Sequence, residues 1–454
     1  TATPFYRVLA SFEKDNAAFS GEWKAVPGSR YFETPALYKE NGFRKKEDAE
    51  ALISELKKDP PVLFTVLKNE KKQERKKAPL LFNLAVFQNE CSKRFRISPD
   101  QALNHLQELY EKKLVTYPRT DARVLSTAVA KEIQKNIGGL TRLEFSKPYA
   151  EEILAKKAYL GIEKTQYTND QKITDHYAVI PTGQTGAYTS LSALQKSLYE
   201  LIVRRFLAIF YPPAVYEKLA IETERKQELF FSSFRIRKEE GYLKVYSSGK
   251  GEEPKEEGEQ DLSAAVLPVV SALKAGDRIE AKAFEVKEGV TTPPKRYTSG
   301  SLILAMENAG QFIEDEDLRS NIKGLGIGTS ATRAEILKKL VTIGYLAIQS
   351  KTQVVTPRER GELIFEIVNA SLPSLLNPDL TASWEKGLGY VSDGTITENE
   401  YLVKMTDFVR ARTEKVKGIG RPEEIRPRFE SVIACYNAKP AKGVSEASER
   451  GGSK

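Results

Sequence analysis

Apolar residues at Ala49, Ala51, Leu52, Ile53 and Leu56 fall on one side of a helical wheel, and they predict a helix over residues 46–57. A second helix announces its own start. Ser98-Pro99-Asp100-Gln101 offers an N-cap, a proline at the first helical position and a capping-box partner. The segment that follows should turn Ala102, Leu103, Leu106, Leu109 and Tyr110 inward and end near Lys113. A third helix, over 192–210, places Leu194, Leu198, Leu201, Ile202 and Phe206 inward and stops at Pro212-Pro213. Beyond those prolines the pattern becomes short, aromatic and β-branched. Residues 214–221, 229–237, 242–246 and 278–286 read as strands of an antiparallel β region. Helical periodicity returns from Ser299 to about Lys417.

Three stretches break these patterns. Lys71-Lys-Gln-Glu-Arg-Lys-Lys77 has no apolar period and reads as a solvated connector, or else as a strip that contacts phosphates. Residues 248–260 are Gly and Glu rich, too polar for a packed core, and read as a flexible loop. The tail, rich in Lys, Ser, Gly and Glu from Ala438, is expected to be disordered.

With 454 residues the chain should divide into roughly three or four domains. Lys plus Arg exceed Asp plus Glu by 70 to 62, which favours a polyanionic partner. Cys91 and Cys435 belong to no C-x-x-C pair, against a disulfide framework or a structural zinc and in keeping with a reducing, cytoplasmic setting. No apolar run approaches the length of a membrane span, and the first residues lack the form of a signal peptide. Position 1 is Thr, so a processed or truncated chain is expected.

Candidate chemistry is concentrated in few places. There are only two histidines, and no phosphate-binding loop of the G-x-x-x-x-G-K-[ST] type occurs, so no ATP requirement of that class is expected. In Tyr117-Pro118-Arg119-Thr120-Asp121 the proline keeps Tyr117 out of the helical region and holds it on an extended turn. A phenol of pKa about 10 is a weak nucleophile and needs a neighbouring cation. Arg119 could supply one, because a guanidinium clamps two phosphate oxygens at once. Tyr117 could equally be one more packing residue among 20 tyrosines. His176 follows Asp175, which could favour a cationic imidazole suited to phosphate, or it is a hydrogen-bonded structural histidine. His105 reads as ordinary. In Lys323-Gly-Leu-Gly-Ile-Gly-Thr329-Ser-Ala-Thr332-Arg333 the glycines allow close backbone approach, and a helix beginning at Thr329 or Ser330 would present its amides to a phosphate.

Taken together, Ala78-Pro-Leu-Leu-Phe-Asn-Leu, the run from Leu109 to Asp121, the His176 segment, Pro293-Pro-Lys-Arg-Tyr-Thr, Gly326-Ile-Gly-Thr-Ser-Ala-Thr-Arg333 and Trp384-Glu-Lys resemble type IA DNA topoisomerases, especially the topoisomerase III branch. These motifs stand in the family's order from about Ala78 to Lys417.

The resemblance implies a mixed α and β fold of torus-like architecture, with helical domains joined by an antiparallel β hinge. It divides the chain into 1–77 (first part of the hinge region and connector), 78–211 (helical, carrying Tyr117), 212–292 (second part of the hinge, with the loop 248–260), 293–420 (helical, DNA-binding) and a largely disordered 421–454. It implies that Tyr117 attacks one DNA strand to form a 5′-phosphotyrosyl link, aided by Arg119 and His176. Asp121, Lys323, Thr329, Thr332 and Arg333 are expected at the DNA, chiefly single-stranded, and resealing should need no ATP. A cytoplasmic, nucleoid-associated protein is implied.

The family's N-terminal Toprim domain, with its acidic Mg²⁺ ligands, finds no match in this sequence. Glu314-Asp-Glu-Asp317 has the wrong place and spacing. A Toprim segment or subunit is therefore expected as a partner. Two other readings compete: a catalytically incomplete relative that only holds single-stranded DNA, and a tyrosine recombinase, which needs more Arg and His around its tyrosine.

Overall fold

The computed structural model describes residues 2–246, 259–260, 266–312, 326–418 and 422–437. Lys323, the run 314–317 and nearly all of the loop 248–260 lie outside the described residues. The fold is mixed helix and sheet, and its residues group into two compact units, each assembled from three separated segments. One takes 1–80, 131–167 and 203–295; the other takes 81–130, 168–202 and 296–454.

The first unit is built on antiparallel strands. They are β1 (Pro4–Lys14), β2 (Ala17–Lys24), β3 (Leu37–Lys39), β4 (Gly42–Phe43), β5 (Leu63–Lys76), β6 (Ala214–Arg225), β7 (Glu228–Glu239), the short β8 (Glu259–Gln260) and β9 (Arg278–Val290). They order as β2-β7-β6-β5-β9-β1-β4-β3, with β8 parallel to β7, and β2 also pairs with β1. That last pairing closes β2-β7-β6-β5-β9-β1 into a ring, so these strands leave each other no open edge where they meet.

Alternate residues point into the ring. Phe12, Phe64 and Phe230 are fully buried and meet edge-to-face at 5.1–6.2 Å. The helix Lys46–Leu56 packs Ala49, Leu52 and Leu56 into this core, while Ala51 faces out. Buried Trp23 stacks on Phe43 at 4.6 Å and donates its Nε1–H to Glu228 at 2.7 Å. The same carboxylate accepts from Ser29 Oγ at 2.7 Å and Arg30 N–H at 3.2 Å, so this buried charge is held by three donors.

Two local expectations are overturned here. Residues 71–76 form no connector: they are the outer half of β5, paired with β6 as far as Lys76. An apolar period is not needed where a strand is solvated on both faces, so periodicity missed it. Residues 242–246 are not a strand. Gly241, at φ +53°, lies against the carbonyls of Pro212 and Pro213, where any Cβ would collide. Tyr242 then donates its N–H to Pro212 O at 2.9 Å, and Leu243–Tyr246 winds into one helical turn.

The second unit is mainly helical. Asn83 caps the helix Leu84–Phe95, accepting from Val86 N–H at 2.9 Å, and the helix Ser299–Glu307 packs against it. Pro99–Glu111 begins with the capping box read from sequence, and it buries Ala102, Leu106 and Leu109. Ala193–Ala208 buries Leu198, Leu201, Ile202 and Phe206. Further on come the helix Arg333–Thr342, the hairpin of β10 (Leu346–Ile348) and β11 (Val355–Pro357), and the helices Glu359–Ser371, Pro378–Ser392 and Glu398–Lys417. Trp384 sits edge-on to Tyr401 and Phe408 at 5.6 and 5.5 Å. Within the span 421–454, Pro422–Asn437 is a helix, tied to Glu359–Ser371 by Arg428–Glu366 at 3.2 Å. Val432 of this helix is buried.

Candidate active site

Tyr117 sits on the turn that leaves Pro99–Glu111, and a second segment of chain, 176–182, holds that turn in place. Thr116 donates its N–H to Ile180 O and accepts from Ile180 N–H on its hydroxyl, both at 3.0 Å, while the hydroxyl donates to Ala178 O at 3.0 Å. Thr182 N–H reaches Leu114 O at 3.0 Å, and Ala178 N–H reaches Val124 O at 3.0 Å. Thr120 Oγ1 donates to His176 O at 2.7 Å. Leu114, Val115, Ala178, Val179 and Ile180 are buried between these bonds, so the apolar run behind His176 anchors both strands of the turn.

The result brings three aromatic rings together. Tyr117, half-buried, has the exposed His176 ring 4.3 Å from its own, centre to centre. Tyr110 meets it edge-on at 5.5 Å. Tyr110 was expected in the core by its period, yet it is 38% exposed. It lies at the last turn of its helix, where the chain bends away and the apolar face has already been covered by Leu106 and Leu109. Arg119 donates Nη1–H to Gln107 Oε1 at 3.1 Å, committing one of its five N–H donors.

Asp121 leads into a second, buried layer. The Arg333 side chain is 3% exposed, and its Nη1 donates to Asp121 Oδ1 at 3.0 Å while its Nε donates to Ile327 O at 3.3 Å. Asn83 Nδ2 donates to Asp121 O at 3.0 Å and to Glu307 Oε1 at 2.6 Å. Burial raises the Glu307 carboxyl above its ordinary pKa, and the negative Asp121 adds to this, against the lowering effect of Arg333 and the Asn83 hydrogen bond. Gly326 passes so close to the carbonyls of Met306 and Glu307 that a Cβ would lie 2.4 Å from one of them.

The helix after this glycine run begins at Arg333, not at Thr329 or Ser330. Thr329 N–H donates to Thr332 Oγ1 at 2.9 Å, which ties the intervening residues into a turn and delays the first helical residue. Thr329 and Thr332 are both exposed. The structure thus sets His176, from the second segment, against Tyr117 on the turn that also carries Arg119, and links Asp121 to Arg333. Gln107, Asn83 and Glu307 were not singled out from sequence, and Tyr110 was read only as a core residue. Glu307 had one visible signal: it is the lone carboxylate closing the apolar run Leu302-Ile-Leu-Ala-Met306.

Known proteins share this arrangement of sequence. The chain is 32% identical to the DNA topoisomerase 3 of Bacillus licheniformis over 372 residues, 81% of this chain and 48% of that protein. It is 32% identical to that of Bacillus subtilis over 426 residues, covering 91% and 56%, and 35% identical to that of Shouchella clausii over 350 residues, covering 76% and 45%. The chain spans about half the length of these curated relatives. The solved full-length topoisomerase I from Thermotoga maritima shares the fold, with a TM-score of 0.60 at 21% identity over 93% of this chain and 59% of that one. Among the described residues no helix is long and apolar enough to cross a membrane. A sequence model of the DNA topoisomerase family matches residues 1–403, a span that holds the Tyr117 turn, the His176 segment and the Arg333 layer, and the chain belongs to the type IA DNA topoisomerases.

Proposed function

We propose that Tyr117 is the nucleophile of a reaction that opens and reseals one DNA strand. Its phenolic oxygen attacks a backbone phosphorus, the new O–P bond forms, and the bond to the 3′ oxygen breaks. The phenol gives up its proton and the departing 3′ oxygen takes one, leaving a 5′-phosphotyrosyl ester. The ester keeps the energy of the broken bond, so the 3′ hydroxyl reverses the step without ATP. The observation that carries this reading is the His176 ring 4.3 Å from Tyr117, on a turn laced at both sides. An imidazole there can carry a proton or a positive charge beside the phosphate. Arg119 supplies a permanent charge from the same turn.

Asp121, Lys323, Thr329, Thr332 and Arg333 help hold the strand in this reading, with Arg333 acting through Asp121. The residues beside Tyr117 do not fit a divalent cation: Asp121 is taken by Arg333, and Glu307 is buried against Asn83. Among the described residues no group of three or more His, Cys, Asp or Glu could hold a metal. The acidic ligands for Mg²⁺ are proposed to come from a Toprim segment or subunit. The chain alone then binds single-stranded DNA and cleaves it weakly or not at all.

The test mixes the chain with a separate Toprim fragment, Mg²⁺ and single-stranded DNA, and looks for a covalent protein–DNA adduct. An adduct at the 5′ phosphate, lost in Tyr117→Phe, is expected. An adduct that survives Tyr117→Phe removes the nucleophile assignment; one linked to the 3′ phosphate removes the type IA chemistry. Efficient cleavage by the chain alone would overturn the need for a Toprim partner.

A further inference from the structure

Tyr110 stands in the aromatic cluster at Tyr117, yet the proposed reaction gives it no role. A single apolar side chain at the surface is ordinary. Tyr110 is not single: its ring lies 5.5 Å from that of Tyr117, which in turn lies 4.3 Å from His176, so three rings adjoin in series. The helix does not need Tyr110 for its own packing. Ala102, Leu106 and Leu109 already fill its buried face, and Tyr110 is left 38% exposed.

The angle between the rings decides what Tyr110 can do. Its plane stands at 86° to that of Tyr117. In an edge-on pair one ring presents its rim to the face of the other, so at least one face of Tyr110 is turned away from Tyr117. A flat group can stack there without displacing the phenol of Tyr117. The charge around it favours a nucleotide. Lys112 and Lys113 follow Tyr110 closely in the chain, both exposed and neither in an ion pair among the described residues. The carboxylates of the same helix end, Glu108 and Glu111, accept from the side-chain amides of Gln195 and Gln107.

We infer that Tyr110 is a stacking platform for an unpaired base beside the phosphate that Tyr117 attacks, a contact that rests on the reading of Tyr117 as the nucleophile. Every base has a π-face, so such a platform holds the strand without reading its sequence. It does ask that the base be unpaired, because inside a duplex both faces of a base are covered by its neighbours. Tyr110 thus gives the site a means of preferring single-stranded DNA over duplex, which phosphate contacts alone do not supply.

The experiment measures binding of the chain by fluorescence anisotropy to labelled oligothymidine and to an abasic strand of the same length, which carries the same phosphates and no bases. Tyr110→Leu should bind oligothymidine about fivefold more weakly or worse. It should bind the abasic strand as the unaltered chain does, and Tyr110→Phe, which keeps the ring, should match the unaltered chain on both. A residue that only buttresses Tyr117 has nothing left to hold in Tyr117→Leu, whereas a platform still loses the same factor when Tyr110→Leu is added to that variant. Equal losses on the two strands, no loss on oligothymidine, a Phe variant as weak as Leu, or a loss that vanishes in the Tyr117→Leu background each overturn the inference. Binding is read without cleavage, so these outcomes stand whether or not Tyr117 proves to be the nucleophile, which the adduct assay decides separately.

Discussion

The strand ring of the first unit and the Tyr117 turn of the second solve opposite problems. In the ring, Phe12, Phe64 and Phe230 are buried to 0% exposure, and the buried carboxylate of Glu228 is held by three donors. At the turn, the aromatic rings Tyr110, Tyr117 and His176 stand at the surface, and it is the polar groups, Arg333, Asn83 and Thr120, that are buried. Stability in the ring comes from apolar area and interlocked rings. Position at the turn comes from directional hydrogen bonds, which fix geometry while leaving the phenol accessible. A residue of the ring should therefore govern folding, and a residue of the turn should govern chemistry.

The largest test of that division is Tyr117→Phe. It should abolish the covalent adduct and shift stability by less than about 0.5 kcal/mol in urea unfolding, as for surface substitutions. Loss of folding in this variant would erase the distinction. Phe64→Ala, in the ring, should cost about 3–5 kcal/mol by the same measurement. Next comes Asp121→Asn, which weakens a charge-assisted bond to a buried guanidinium and should cost about 1.5–3 kcal/mol. Adduct yield measured well below its unfolding midpoint should fall as well, because the Tyr117 turn loses its inner anchor.

The smallest effect lies in the first unit, at acid pH. Hydrogen bonds from Lys156, Lys244 and Tyr211 hold the Glu152 carboxyl down to about 2. A folded-state pKa depressed in this way contributes stability that is complete above the ordinary glutamate value of about 4.3 and fades as pH falls below it. Glu152→Gln should flatten the stability–pH curve between about pH 4.3 and the value near 2. An unchanged acid limb would show that these surface bonds carry no net weight. The partial exposure of the group, 24% of its side chain, keeps the expected effect small.

Much of the helical part of the chain was legible because its signals are local. The capping box at Ser98 and Gln101, the proline after Tyr117 and the stop at Pro212 each act on their own few residues. The outer half of β5 and the helical turn at Leu243 were misread for the complementary reason. A strand solvated on both faces has no apolar alternation, and the turn at 242–246 depends on carbonyls of prolines some thirty residues earlier in the chain. Tyr110 was misplaced because helical period reports which way a side chain points, and not whether anything lies there to cover it.

By itself the sequence determined the order of motifs, the turn that carries Tyr117 and the family to which they point. Tertiary structure alone decided that His176 meets Tyr117, that Asp121 meets Arg333 and that Trp23 meets Glu228. The reason is physical. A turn or a cap is a contest among neighbouring backbone conformations, whereas these pairings join residues far apart in the chain, and their loop-closure entropy is met only when the buried run Ala178–Ile180 and the closed ring of strands form around them.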